Sequence, residues 1–255
     1  MEALIQPVLT KLLFIGLRVS LVIFFLPFLG SGAIAARIKA GLTVALTAFL
    51  LPVYLPPAAT LLNVNWLTVL LGETLVGLAL GLTVNFIFEA VQVAGQLCGV
   101  QLGYSLETLI DPMTKAETPI VSTLYYMIAT LIFLQLNVHH WMLRALAESF
   151  QYLPPSTFVT NKAVATDLIR DSGLMLSVGV QIAAPLMLAA LMVDVALGFI
   201  GRAAPQLPVM LVGISVKDLI GIAMLGSTLA LWPSQLEGHF ARAVRAGEHL
   251  LHLAH

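Results

Sequence analysis

The stretch Gly95-Gln96-Leu97-Cys98-Gly99-Val100-Gln101-Leu102-Gly103 places a glycine at every fourth position, with Gln96 and Gln101 between them. On a helix, a spacing of four keeps side chains on one slanting ridge. Each glycine costs about 1 kcal/mol against alanine in a helix interior, so a bare ridge calls for a neighbour that approaches the backbone closely. The pattern extends upstream, where Glu73, Gly77, Gly81, Asn85 and Glu89 also recur at four. A turn holds 3.6 residues, so this ridge drifts by about 40° per step and wraps the helix as a stripe. Gly77-x-x-x-Gly81 and Gly95-x-x-x-Gly99-x-x-x-Gly103 are small-xxx-small patterns of the kind that lets helices meet in membranes. The opposing helix comes from a hairpin of this chain, from another subunit, or from both.

Outward from that stretch the chain is very apolar: of 255 residues, 59% are hydrophobic and 10% charged, with a net charge of −1. Soluble domains carry about 25% charged residues, so lipid or other apolar subunits must cover part of this surface. The near-zero net charge gives no sign of a nucleic-acid or acidic partner. The single cysteine, Cys98, excludes an intramolecular disulfide framework. Lys11, the apolar run after it and Ala33-Ile34-Ala35 mimic a signal peptide, but Arg18 interrupts the apolar core. The segment is read as a first membrane helix.

Roughly six mostly apolar stretches read as transmembrane candidates: Leu12–Leu29, Ala40–Tyr54, Trp66–Phe88, Ile120–Val138, Leu174–Ile200 and Leu207–Trp232. The second is short and ends before Pro56-Pro57. The third continues through the glycine ridge to about Gly103, too long for a single crossing. No strand-like alternation competes. The expected class is all-α, with about six hydrophobic helices, several long or kinked, arranged in hairpins. Asn63–Trp66 is a short turn. Tyr104–Pro119 is polar and contains Pro112 and Pro119, and Pro154–Asp171 reads as a hydrophilic loop.

Glu73, Glu89, Asp194 and the pair Lys217-Asp218 fall inside or beside apolar runs. Charges there mark a pathway, a pairing or an aqueous environment. Lys217 and Asp218 are adjacent, so on a helix they point about 100° apart and need other partners. HExxH, GxSxG and P-loop patterns are absent from the sequence. His139-His140 are adjacent and cannot share a helix face; His249, His252 and His255, spaced by three, suit a solvated tail better than a metal site. No catalytic residue, cofactor or metal is expected. A stand-alone secondary transporter, with Glu73, Glu89 and Asp194 handling ions near the midplane, is an alternative, but the inverted repeat it requires is not visible.

Taken in order, Gly72-Glu73 with Gly77 and Gly81, Ala94-Gly95, Gln101-Leu102-Gly103, "IDPMTKAETP", "LNVHHWMLRALAESFQYLPP", Ala183-Ala184-Pro185, "LGFIGRAAPQLPVML" and "GISVK" ending at Lys217 resemble the FliR family of flagellar type III export-gate proteins, related to the T component of injectisomes. The resemblance spans nearly the whole chain. It departs at Val138, where the family often has glycine, and at Ser215, where it often has proline; the first stiffens the turn before His139 and the second removes a kink.

The resemblance implies a core subunit of a closed helical hetero-oligomer in the bacterial inner membrane, within the flagellar basal body and largely above the membrane plane. Its implied partners are FliP and FliQ, the associated export switch protein FlhB, membrane lipid and unfolded flagellar export substrates. Residues 1–165 would be FliP-like and 166–255 a FliQ-like hairpin with a C-terminal tail. A plug loop at about Leu106–Pro119 would fill the lumen with Leu109, Ile110 and Met113, its turn set by Asp111-Pro112. The glycines Gly77, Gly81, Gly95, Gly99 and Gly103 would be helix-packing positions.

Overall fold

The computed structural model describes residues 2–30, 34–52, 66–104, 120–154, 162–206 and 209–253. Among them every regular element is a helix: α1 (Glu2–Phe25), α2 (Pro27–Gly30), α3 (Ala36–Leu50), α4 (Trp66–Leu102), α5 (Ile120–Gln135), α6 (Val138–Tyr152), α7 (Lys162–Ala203), α8 (Val209–Leu229) and α9 (Trp232–Leu253). The all-α expectation holds, and α4 runs uninterrupted for 37 residues, as the continuous ridge predicted. At about 1.5 Å per residue it far exceeds one bilayer core of about 30 Å. By length and composition α4, α7 and α8 are each able to cross a membrane, and α5 with α6 forms a fourth such span if taken as one bent pair.

Two helices are longer or more numerous than hydropathy suggested. Residues 162–171, assigned to a polar loop, are the first turns of α7, which runs to Ala203 with Pro185 inside it. The apolar run from Ile120 ends at Gln135, and a 66° bend leads into α6. The bend is made by Asn137, at φ 55°, a left-handed conformation that asparagine tolerates better than most residues. The stiff Val138 sits one place later, buried at the start of α6. No kink separates the halves of α8, which is helical through Ser215. The C-terminal tail is the amphipathic helix α9, whose Trp232, Leu236, Phe240, Val244 and Leu251 are buried at spacings of four and seven.

The chain forms two compact units, each discontinuous in sequence: one contains Met1–Ile87, Phe133–Ser172 and His239–His255, the other Phe88–Ile132 and Gly173–Gly238. In the first, α1 packs on α3 and on the leading half of α4. Ile15, Val19, Val22 and Ile23 are buried there, and the Phe133 and Phe240 rings meet edge to face at 5.5 Å. In the second, the trailing half of α4 packs on α5, α7 and α8.

The ridge glycines divide by what faces them. A Cβ on Gly77 would lie 2.9 Å from Leu21 Cβ and 3.0 Å from the Arg18 carbonyl; one on Gly81 would lie 2.7 Å from Phe25 Cβ. A Cβ on Gly95 would fall within 2.4 Å of Ser122 Cα. These three positions are filled by helices of the same chain. Gly99 is looser, with Val121 Cβ at 3.7 Å from the same virtual atom. Gly103 is not a ridge position in the same sense. It adopts φ 96° and ends α4: its amide bonds the Val100 carbonyl at 3.1 Å, and the Tyr104 amide bonds Gly99 at 3.0 Å. That is a Schellman cap, which favours glycine because a Cβ is strained in this conformation. Gly103→Ala should therefore cost about 1–2 kcal/mol, lowering the detergent-solubilised melting temperature by a few degrees, whereas Gly99→Ala should leave it nearly unchanged.

Candidate functional site

The first polar cluster lies in the first unit. Arg18 sits in the apolar helix α1 with no exposed surface, and Glu73 on α4 is 1% exposed. A buried guanidinium is tolerable only when each of its edges finds a partner. Here Nε donates to Glu73 Oε2 at 2.7 Å, Nη1 to Ser149 Oγ at 3.0 Å and Nη2 to the Leu153 carbonyl at 3.1 Å. The guanidinium carbon also stands 4.3 Å from the centre of the Phe150 ring, within cation–π range. The Leu153 carbonyl is at the end of α6, where helix carbonyls lack internal donors. One side chain thus joins α1, α4 and the C-terminal end of α6. Sequence reading flagged Glu73 but used Arg18 only as an interruption. Ser149, Phe150 and Leu153 carried no signal, being 131 to 135 residues from Arg18 where the bonds form.

The second cluster lies in the second unit, at the C-terminal end of α4. Lys217 of α8 pairs with Asp194 of α7, Nζ to Oδ1 at 2.5 Å. Gln101 Nε2 donates to the other Asp194 oxygen at 3.3 Å, and Lys217 Nζ reaches the Gln101 carbonyl at 3.5 Å. A cation beside the last carbonyls of a helix is favoured by their partial negative charge. Asp218 points elsewhere, as the 100° separation required, and is hydrogen-bonded by Tyr104. Burial, then the bond to and charge of Asp218, hold the Tyr104 phenol above its ordinary value, so it remains a donor. The Asp218 Oδ1 is buried and has no hydrogen-bond partner among the described residues. Of the glutamines on the ridge, Gln101 works inside the chain while Gln96 is exposed.

Glu89 is half-buried on α4 and faces the Tyr126 hydroxyl of α5 electrostatically. His249 Nδ1 lies 3.8 Å from Asp167 Oδ2, and no group of three potential ligands stands close enough to hold a metal among the described residues. Leu109, Ile110, Asp111, Pro112 and Met113 lie outside the described residues. Chemically, the two clusters join helices. Glu73, shut from solvent and bonded to an arginine, is not poised to take up and release ions, which weighs against the transporter alternative.

Lys217→Met should leave Asp194 with only Gln101 and lower the recovery of any complex the chain forms. Adding Asp194→Asn should then cost little more, because the pair is already broken. Recovery unchanged by Lys217→Met would make the lysine a surface group with its stem on apolar neighbours.

The profile of the family described as Bacterial export proteins, family 1, matches residues 9–243. The flagellar biosynthetic protein FliR of Pectobacterium carotovorum is 34% identical over 225 residues, covering 88% of this chain and 86% of that protein. FliR of Aquifex aeolicus is 31% identical over 239 residues, covering 92% and 91%. FliR of Escherichia coli K12 is 30% identical over 215 residues, covering 84% and 82%. The long apolar helices, the internally paired charges and these matches across most of the sequence lead to one conclusion: the chain belongs to the FliR family of bacterial export proteins.

Proposed function

We propose that this chain is a core subunit of the flagellar type III export gate, building with FliP and FliQ, and beside FlhB, an inner-membrane conduit for unfolded flagellar proteins. The observation that carries the reading is where the apolar surface lies. Arg18 and Glu73 are buried together and Lys217 is paired with Asp194, yet the apolar windows of α7 and α8 are only 22% and 11% buried within the chain. Helices so bare and so long need cover, and a mixed helical assembly supplies it beyond what lipid can. The conduit would be passive, since no nucleotide-binding pattern occurs in the sequence. In this reading residues 1–165 correspond to FliP and 166–255 to FliQ, a correspondence of sequence that need not follow the two compact units.

The same reading makes residues 106–119 a plug. The stretch leaves α4 just after the Gly103 cap and rejoins the fold at Ile120. Burying Leu109, Ile110 and Met113 at about 1.5–3 kcal/mol each gives a seal of several kcal/mol, small enough for an engaged substrate to displace. Replacing the three with glycine should raise ion leak in cells overproducing the assembled gate while export persists. Unchanged conductance with the assembly intact would leave the seal to the other subunits. The reading as a whole is tested by co-purification: a tag on this chain should bring down two unlike apolar chains, and deleting the gene should abolish flagellar export.

A further inference from the structure

The trailing half of α4 is buried on one face, through Ala90, Val91, Ala94 and Cys98. The opposite face carries Glu89, Gln92 and Gln96, at spacings of three and four. Glu89 and Gln92 are half-buried and Gln96 is exposed. The three form a polar stripe about 10 Å long. Four other polar side chains of α4 are bonded within the chain. Glu73 accepts from Arg18 at 2.7 Å. Thr74 and Thr83 donate to carbonyls of their own helix at 2.7 and 2.9 Å, and Gln101 donates to Asp194 at 3.3 Å. The amides of Gln92 and Gln96 bond nothing among the described residues. Beside Glu89 stands Tyr126 of α5.

Hydrocarbon does not suit this stripe. It supplies no hydrogen-bond partner to the amides, and a carboxylate there is costly. A permanently seated helix would have to donate to Glu89 and match both amides within two turns, since a half-satisfied buried network is worse than none. Where this chain packs permanently on itself, it closes such networks internally, as at Arg18 and Lys217. Water satisfies all three groups at once. So does a moving polypeptide: a side-chain amide both donates and accepts, and a peptide group does the same whatever the sequence. Exchanging water for a peptide group changes the free energy little, so such a surface holds no segment fast. The stripe also lies on the helix that leads into the proposed plug, Gln96 being seven residues, about 10 Å of helix, before the Gly103 cap. We infer that Glu89, Gln92 and Gln96 face the water-filled path of the conduit and are a contact surface for the backbone of the unfolded chain in transit. The inference rests on the reading of the chain as a subunit of an export conduit.

The test has two arms, both on the full chain in its assembly. In the first, Gln92→Cys and Gln96→Cys chains react with a charged, water-soluble methanethiosulfonate. The unaltered chain, whose only cysteine is the buried Cys98, sets the baseline. Reaction should run about tenfold faster than at Leu219→Cys, on the bare apolar face of α8. In the second, a photoreactive benzophenone amino acid stands at position 96 in cells making the whole apparatus. A flagellar export substrate fused to a domain that cannot unfold is stalled in transit. The expected adduct joins this chain to the stalled substrate and disappears when the substrate is not made. Thiols no faster than at Leu219→Cys, or adducts confined to phospholipid, to a second copy or to another subunit, would each overturn the inference. In parallel, Gln92→Leu with Gln96→Leu should slow export about threefold or more at unchanged recovery of the complex, and Gln92→Asn with Gln96→Asn should restore most of it. Undiminished export by the double leucine chain also overturns the inference. A complex that still holds two unlike apolar chains leaves the export reading standing in each case, whereas failure of the unaltered chain to recover any unlike subunit removes both.

Discussion

Replacing Arg18 with leucine should destabilise the chain by about 3–5 kcal/mol, the cost of leaving one partner of a buried ion pair without its counter-charge. Glu73 is 1% exposed and would be left beside an apolar side chain; Ser149 and the Leu153 carbonyl would lose their donors as well. The change makes α1 more apolar, so hydropathy alone predicts better membrane insertion. The cluster predicts the reverse at the level of folded protein: intact insertion, low recovery of folded chain, and proteolysis in the α1–α6 region. Arg18→Lys should restore little, because a lysine cannot hold Glu73, Ser149 and Leu153 at once with a planar fork. The double change Arg18→Leu with Glu73→Leu should recover a substantial part of the loss, since replacing a whole buried pair by apolar groups is often near neutral. Equal loss in the single and double variants, by urea or thermal melting in detergent, would mean that the pair is not what holds these helices.

Gly95→Leu is the second large expectation. The Cβ alone would sit 2.4 Å from Ser122 Cα and 3.0 Å from Ser122 N, so backbone and not merely a flexible side chain must move. Overpacking typically costs 1–3 kcal/mol, about the upper figure or above where helices must part. Even Gly95→Ala should be harmful. Gly99→Ala, one turn along, adds a methyl at ordinary contact distance from Val121 and should be tolerated. The contrast separates close intrachain packing from a generic need for glycine in the ridge. Equal effects at the two sites, read by thermal melting of the purified chain, would refute the geometry given for α4 and α5.

The class of fold was legible because composition and run length bound it tightly: the run from Trp66 to Leu102 admits little but a long helix. Helices α6 and α9 were harder to see. Their apolar residues recur on one face among charges, so an average over a window conceals them. The first turns of α7 looked like loop for the same reason. The unusual residues were legible as unusual, but their partners were not. Arg18 and Glu73 stand 55 positions apart, and nothing local to either names the other. A lone arginine in one apolar run and a lone glutamate in another was the available signal, since each needs a counter-charge in such surroundings. Gly103 shows how spacing misleads. It continues the four-residue rhythm, yet it stands where the apolar run gives way to polar residues, the place for a helix-ending glycine.

The most direct test of the central claim, that this chain is one subunit of a mixed export assembly, is native mass spectrometry of the complex purified through a tag on this chain. The account predicts masses that require at least two unlike apolar chains bound together with this one, lost when Arg18→Leu or Gly95→Leu is introduced. A single species containing only this chain and lipid, alone or as a symmetric oligomer, from cells that make the whole apparatus would contradict it.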